Sequence, residues 1–409
     1  ELMKREGMND VHELQGYFLG RIHKFLESNG KTMIGWDEIM DAELPHDVMI
    51  QVWRDSEYGI EAAREGHSVR LSPTSHCYFD YPLSATDTKD VIEYQPFARF
   101  DDLAKSNVVG LECNLWSEHI PTAEVLHQQA YPRMFAMADV MWNGASARKY
   151  DSMDAFKAAC EFHNRRIRSL GMTPGWAQEP IQWEVKNSEN GKVINISSPE
   201  QEIELNAKWN NQGAVSTGTQ LIVPLSQSGD LEVSALSESY GEFNQTISLA
   251  QHHAWDVPVT YDNPYSEWYT AGGPGGLVDG VRASLDFRDG HWQGFWGDDC
   301  VVELELETEQ TISSVQSQFY QYVNAWILIP TTVLIEVSTD GNNWTEFGTW
   351  TPPLEPKLRG KHIQEMRVES SAVNAKFVRL TATNFGVLPD WHEAAGSDVW
   401  IFIDEIEVR

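Results

Sequence analysis

The chain has 409 residues, with 61 acidic against 30 basic side chains, a formal net charge of −31 and 41% hydrophobic residues. That length predicts two to three domains, and the apolar fraction excludes wholesale disorder. The acidity argues against a nucleic-acid partner, and no apolar run approaches the ~18 residues that span a bilayer, so no membrane span is expected.

Up to about residue 180, short β-rich runs alternate with helical ones. Val11–Asn29 sets Val11, Leu14, Phe18, Ile22, Phe25 and Leu26 on one helical face, and Gly30 is the stop signal. Strand-like runs follow at 32–36 and 48–53, then a short helix near Glu57–Glu65 and a strand at Ser68–Ser72. After a long loop, Val108–Trp116 reads as another strand. Two helices, roughly Thr122–Trp142 and Ser152–Leu170, close the region. This alternation predicts a parallel sheet with helical crossovers. Four β-α steps are half of what an eight-stranded barrel holds. The aromatic residues sit at the C-terminal strand ends, where barrel enzymes place their sites, so the expectation is half of a (β/α)8 TIM barrel.

From about residue 181 the texture becomes β, and the acidic excess grows. The runs 202–207, 300–307 and 334–338 alternate apolar and polar residues, as half-buried antiparallel strands do. A Gly/Pro cluster at Gly272–Gly276 divides this region. The expected organisation is multidomain: 1–180 as the barrel part, 181–260 as a small β-sandwich serving as a spacer, and 261–409 as a jelly roll.

Cys77, Cys113, Cys160 and Cys300 form neither a CxxC pair nor a zinc-ligand spacing, and they read as buried thiols. The first residues lack the pattern of a signal peptide. The expectation is that such a peptide has been removed or that the chain starts inside a longer protein.

Four motifs carry the chemistry: Gly-Trp-Asp-Glu (35–38), Gln-Val-Trp-Arg-Asp (51–55), Cys-Tyr-Phe-Asp (77–80) and Glu-Cys-Asn-Leu-Trp-Ser-Glu (112–118). Each sets an aromatic residue and a carboxylate at a strand end. Sugars call for that combination, because their C–H faces pack on indole rings while their hydroxyls donate to carboxylates.

With Tyr-Pro-Arg-Met-Phe-Ala-Met-Ala-Asp (131–139), these motifs occur in the order found in glycoside hydrolase family 20, and residues 11–180 resemble the second half of that family's β-N-acetylhexosaminidase barrel. The resemblance implies substrate-assisted hydrolysis, in which the substrate's 2-acetamido oxygen attacks its own anomeric carbon. It makes Tyr78 the catalytic residue that holds the acetamido oxygen. It makes Trp36, Trp53 and Trp116 the walls of the pocket, and Asp80 and Glu118 the acceptors of hydroxyls at the far side of the terminal sugar. It implies no cofactor for catalysis.

The family's catalytic Asp-Glu pair follows a His-x-Gly-Gly stretch, and no such stretch occurs in these 409 residues; the sugar-binding Arg of the family is missing as well. The two Asp-Glu dipeptides present, Asp37-Glu38 and Asp404-Glu405, fall at other places in the pattern. The general acid is therefore expected upstream, and the missing N-terminal half of the barrel is an expected partner that covers the strand edges. His76, His119 and Glu112 lie beside the motifs. The histidines read as loop hydrogen-bonding groups, and Glu112 as a support for Trp116 or Tyr78.

Leu-Val-Asp-Gly-Val-Arg (277–282), the run 324–330, the run 335–344, the run 376–382 and Phe-Ile-Asp-Glu-Ile-Glu-Val (402–408) resemble a discoidin-like jelly roll, as in family 32 carbohydrate-binding modules. That resemblance implies a structural calcium with Asp279 and Glu405 as candidate ligands; a turn Asp and an exposed strand Glu are the other reading. Trp292, Trp296 and Trp391 are either a stacking platform or buried core.

The function expected is an exo-β-N-acetylhexosaminidase acting on glycans with terminal N-acetylglucosamine or N-acetylgalactosamine, in a secreted, periplasmic or cell-surface protein. The alternative is a non-catalytic carbohydrate-binding or adhesion protein, or an inactive fragment.

Overall fold

The computed structural model describes residues 2–409 except 9, 43, 119, 144–149, 151, 190, 201, 210–215 and 226. The chain divides into two compact units: Glu1–Pro180 with Ser237–Gly241, and Ile181–Leu236 with Glu242–Arg409.

The first unit is built on four parallel strands in sequential order: β1 (Ile34–Trp36), β2 (Met49–Val52), β3 (Val69–Leu71) and β4 (Val108–Leu111). Val48, Ile50, Val52, Val69 and Leu71 are buried with Ile60, Ala62 and Ala63 of the helix Ser56–Arg64. A strand followed by an amphipathic helix packs back on the sheet in this way, each burying its apolar side on the other. A second core joins Cys77, Tyr78 and Phe79 to Ala136, Met137 and Val140 of the helix Arg133–Asn143 and to Phe156 and Cys160 of Met153–Ser169. Cys77, Cys160 and Cys300 are buried free thiols, and Cys113 is partly buried.

Two sequence expectations change here. β4 ends at Leu111 rather than Trp116, and the chain beyond it makes an isolated bridge at Asn114, to Tyr78. The helix expected over 122–142 is two helices, Ala123–Ala130 and Arg133–Asn143, with Pro132 between them. Proline offers no N–H to the helical ladder and crowds the preceding turn.

The second unit is antiparallel β. Gln182–Ser188, Gly191–Ser197 and Gln220–Pro224 form one sheet; Glu204–Trp209, Ser216–Gly218, Gly229–Ser237, Gly241–Leu249 and Val281–Arg282 form another. A larger sheet is organised by two 22-residue strands, Cys300–Gln321 and His362–Thr383, paired antiparallel with register shifts after Glu305 and Ile312. Such shifts bend a strand. The final strand, Trp400–Val408, runs beside Cys300–Gln321 and is buried almost throughout. Among the described residues, no helix is long and apolar enough to cross a membrane.

Candidate active site

The site residues stand just beyond the C-terminal ends of the parallel strands. Trp36 is the last residue of β1, and its ring centroid lies 6.0 Å from that of Trp116. Trp116 lies 6.4 Å from Tyr78, and Tyr78 lies 5.7 Å from Tyr81. Three of the six expected residues therefore form one aromatic wall. Trp116 is 45% exposed and Tyr78 only 7%, which gives the wall an open lip and a closed floor.

Tyr78 is held by extending the sheet past its strands. Asn114 N–H donates to the Cys77 carbonyl at 2.8 Å, and Phe79 N–H donates to the Asn114 carbonyl at 2.9 Å. Burial raises the Tyr78 phenol to about 12, although a side-chain hydrogen bond with Trp116 pulls the other way. At any physiological pH this hydroxyl keeps its proton and can donate it in a hydrogen bond. Asp80 is 2% exposed, and its charge is felt at Tyr78. Trp53 is half-buried and packs against the core that contains Tyr78. Glu118 is exposed, two residues beyond Trp116.

The Asp37-Glu38 dipeptide is structural. Asp37 is wholly buried; Oδ1 accepts from Arg54 Nε at 2.7 Å, and Oδ2 accepts from Trp53 N–H and Arg54 N–H, each at 3.2 Å. Burial pushes its carboxyl up, against these three donors. With both oxygens engaged, Asp37 ties the end of β1 to the end of β2. Burial would also raise Glu38, but a side-chain hydrogen bond from Trp53 and the Arg54 charge leave its carboxyl below the usual range. Of the other dipeptide, Asp404 Oδ2 accepts from Ala283 N–H at 2.6 Å within the second unit.

The neighbouring polar residues are spent locally. His76 stacks on Tyr94 at 4.4 Å and bonds Ser75 Oγ at 2.7 Å. Glu112 accepts from Arg70 Nη1 at 2.7 Å, a half-buried pair; this contact, and not support of Trp116 or Tyr78, is where the structure places it. His119 lies outside the described residues. Sequence reasoning missed Arg54, although an Arg one strand from a buried Asp is a usual signal of pairing, and it missed Arg133, described below.

Asp279 and Glu405 do lie together. Burial, then the Glu405 charge, push the Asp279 carboxyl up to about 7, and Glu405 is fully buried rather than exposed on its strand. Their surroundings do not fit a calcium cage. Asp279 Oδ1 accepts from Val281 N–H at 2.8 Å, and Glu405 Oε1 accepts from Gly280 N–H at 3.0 Å and also bonds His252 Nε2. The Asp279 carbonyl accepts from Trp255 Nε1 at 2.6 Å. Calcium needs six to eight oxygens; here three of the nearby oxygens already accept from backbone N–H groups and an indole, while Glu405 Oε2 has no hydrogen-bond partner among the described residues. Among the described residues no group of three or more His, Cys, Asp or Glu is placed to hold a metal. Gly280 is required by this arrangement: its φ is +81°, and a Cβ would stand 2.4 Å from the Trp255 ring.

Of the three tryptophans read as platform or core, Trp292 is buried with its indole N–H on the Ser284 carbonyl at 2.9 Å. Trp296 stacks on Trp326 at 6.0 Å, and Trp326 and Trp391 both pack on the cluster of Leu388 and Val399, away from the buried Trp292. They do not form one platform.

The first unit is thus a parallel βα sheet with an aromatic and acidic rim at its strand ends, and the second is antiparallel β. Residues 1–145 match the family model of the glycosyl hydrolase family 20 catalytic domain, and residues 260–403 match that of the F5/8 type C domain. A β-hexosaminidase of Porphyromonas gingivalis is 33% identical over 161 residues, covering 36% of this chain and 21% of that protein. A β-hexosaminidase of Vibrio furnissii is 29% identical over 152 residues, covering 34% of this chain and 25% of that protein. The solved exo-β-N-acetylglucosaminidase of Vibrio harveyi in complex with N-acetylglucosamine is 26% identical, with a TM-score of 0.40 over 43% of this chain and 29% of that one. The chain thus spans about a fifth to a quarter of the length of these two curated relatives.

Proposed function

We propose that the first unit is part of an exo-β-N-acetylhexosaminidase that removes terminal N-acetylglucosamine or N-acetylgalactosamine with retention, by substrate-assisted attack. The observation that carries this reading is the protonated, buried Tyr78 hydroxyl beside the Trp36–Trp116 wall and the buried Asp80. In this role Tyr78 donates to the acetamido oxygen and aims it at the anomeric carbon, while Trp36, Trp53 and Trp116 enclose the acetamido group and the ring. Asp80 and Glu118 take the distal hydroxyls. An oriented intramolecular attack is worth up to ~7–11 kcal/mol in well-aligned systems, and aromatic walls strengthen each polar contact with the developing charge. No cofactor enters, because the nucleophile belongs to the substrate.

The general acid is assigned to sequence upstream of residue 1, and the four strands to a (β/α)8 barrel that continues there. The exposed edge residues Ile34 on β1 and Val109 on β4 support a continuing sheet. We further propose that 181–260 is a spacer, that 261–409 is a carbohydrate-binding-type jelly roll, and that the protein works in a secreted, periplasmic or surface location. Asp37 is fully engaged, a specific reason to keep the second reading, a glycan binder that does not cleave. The test is turnover of p-nitrophenyl N-acetyl-β-glucosaminide by the full-length protein. Tyr78→Phe should lower kcat by on the order of 10²-fold, and the 409-residue chain alone should be inactive. A full-length Tyr78→Phe variant that keeps the parent kcat overturns the role of Tyr78; a full-length protein that binds but never cleaves favours the binder.

A further inference from the structure

We propose that Arg133 is a positioning residue for sugar recognition, acting through Asp80; this rests on the hexosaminidase reading above. Arg133 opens the helix Arg133–Asn143 and is 1% exposed. Its Nη2 donates to the Phe79 carbonyl at 2.6 Å and its Nη1 to the Tyr81 carbonyl at 3.0 Å, so one guanidinium grips the backbone on both sides of Asp80. Nη1 also donates to the Thr86 carbonyl at 2.9 Å, which closes the loop 79–86 around it. From below, Nε donates to the Gln129 carbonyl at 2.9 Å and Nη2 bonds Gln129 Oε1. The Phe79 ring packs 5.2 Å from the guanidinium carbon.

Among the described residues, the hydrogen-bond partners of this buried cation are all neutral oxygens. Carbonyl dipoles satisfy its N–H groups, but they do not balance a full charge in an apolar core. Burial lowers the Arg133 pKa to about 10, and the charges of Asp80 and then Asp87 oppose that fall. The Arg133 charge and Asp80 therefore interact directly across the loop that the guanidinium holds. Arg133 thus sets the direction of Asp80 through the carbonyls that flank it. Lysine cannot reproduce this: it carries the charge on one nitrogen and has no planar fork to span the Phe79, Tyr81 and Thr86 carbonyls.

The experiment compares full-length wild type, Asp80→Asn, Arg133→Lys and Gln129→Ala on p-nitrophenyl N-acetyl-β-glucosaminide and on its analogue lacking the 4- and 6-hydroxyls. If Arg133 acts through Asp80, Arg133→Lys lowers kcat/KM about tenfold or more on the parent substrate, the size expected for a hydrogen bond to a charged group. On the deoxy analogue it changes kcat/KM by less than about threefold, and Asp80→Asn shows the same collapse of preference. Gln129→Ala, which frees one side of the guanidinium while leaving Arg133 in place, shows it in weaker form and keeps the test open should Arg133→Lys fail to fold. Equal losses on both substrates for Arg133→Lys and Gln129→Ala mean a purely structural role and overturn the proposal. If wild type and Asp80→Asn differ as stated and the other two do not, this proposal alone falls; if wild type does not turn over, the underlying reading falls with it.

Discussion

Arg54 donates from Nε to Oδ1 of Asp37 at 2.7 Å, and the acid is wholly buried while the arginine keeps 28% of its side chain in solvent. The link joins the ends of two neighbouring parallel strands at the point where each delivers a tryptophan. The backbone that carries both indoles is thereby anchored by one buried carboxylate.

Asp37→Asn should therefore damage the fold before it damages the chemistry. The amide replaces one acceptor oxygen with a donor facing Arg54 or the backbone N–H groups, and leaves the guanidinium without its counter-charge. Breaking a buried pair costs about 3–5 kcal/mol, and the open side of Arg54 places this case at or below the lower end. Thermal denaturation should show a lower Tm for the first unit; an unchanged Tm would mean that Asp37 is not the strand-end anchor.

Trp116→Ala should act on binding. The ring is half open to solvent and forms the outer part of the wall with Trp36 and Tyr78, so it has little core to support. KM of the full-length protein should rise on the order of tenfold, the scale of one aromatic contact, with Tm within a degree or two of wild type. A fall in Tm with unchanged KM would make Trp116 a core residue.

The second unit should be indifferent to calcium. A ligand bound only by the folded state at 100 times its Kd adds about 2.7 kcal/mol, which would shift the melting of a unit this size by several degrees. Because Glu405 and Asp279 already accept from His252, Gly280, Val281 and Trp255, the Tm in millimolar calcium and in EGTA should agree within about 1 °C. A rise of several degrees with calcium would refute that arrangement.

Its stability should depend on pH instead. The Asp279 carboxyl is raised in the folded state to about 7, first by burial and then by Glu405, so its stabilising contribution is full below about pH 4 and fades as pH rises through 7. His252 has the opposite sign: burial lowers it to about 4, so its contribution holds above about pH 6.5 and fades as pH falls through 4. Asp279→Asn should melt with wild type near pH 4 and above it at pH 8. Equal Tm values for the two at pH 8 would contradict this.

Much of the first unit was legible because its sequence states the period directly. Val11–Ser28 and Met153–Ser169 are long enough for the helical face to show, and the strands at 34–36, 49–52 and 69–71 are short apolar runs between clear breakers. The long strands were not legible. Only 300–307 alternates cleanly, since the polar stretch Glu307–Gln310 lies at the register shift and hides the continuation to Gln321. The rim was visible as residue types, but its supports were not. In the sequence Asp37 reads only as lying away from the family's catalytic position, and Arg133 only as part of the motif 131–139. Burial decides both roles, and burial of a single charged residue leaves no periodic trace.

The outer strands of the parallel sheet hold Ile34 and Val109 in water, at 43% and 55% exposure. Unpaired backbone groups alongside exposed apolar side chains make a template for any other β-strand. Expressed by itself at high concentration, this polypeptide should self-associate through those margins. Val109→Lys would act as a gatekeeper, giving structural work a more soluble variant without touching the aromatic rim.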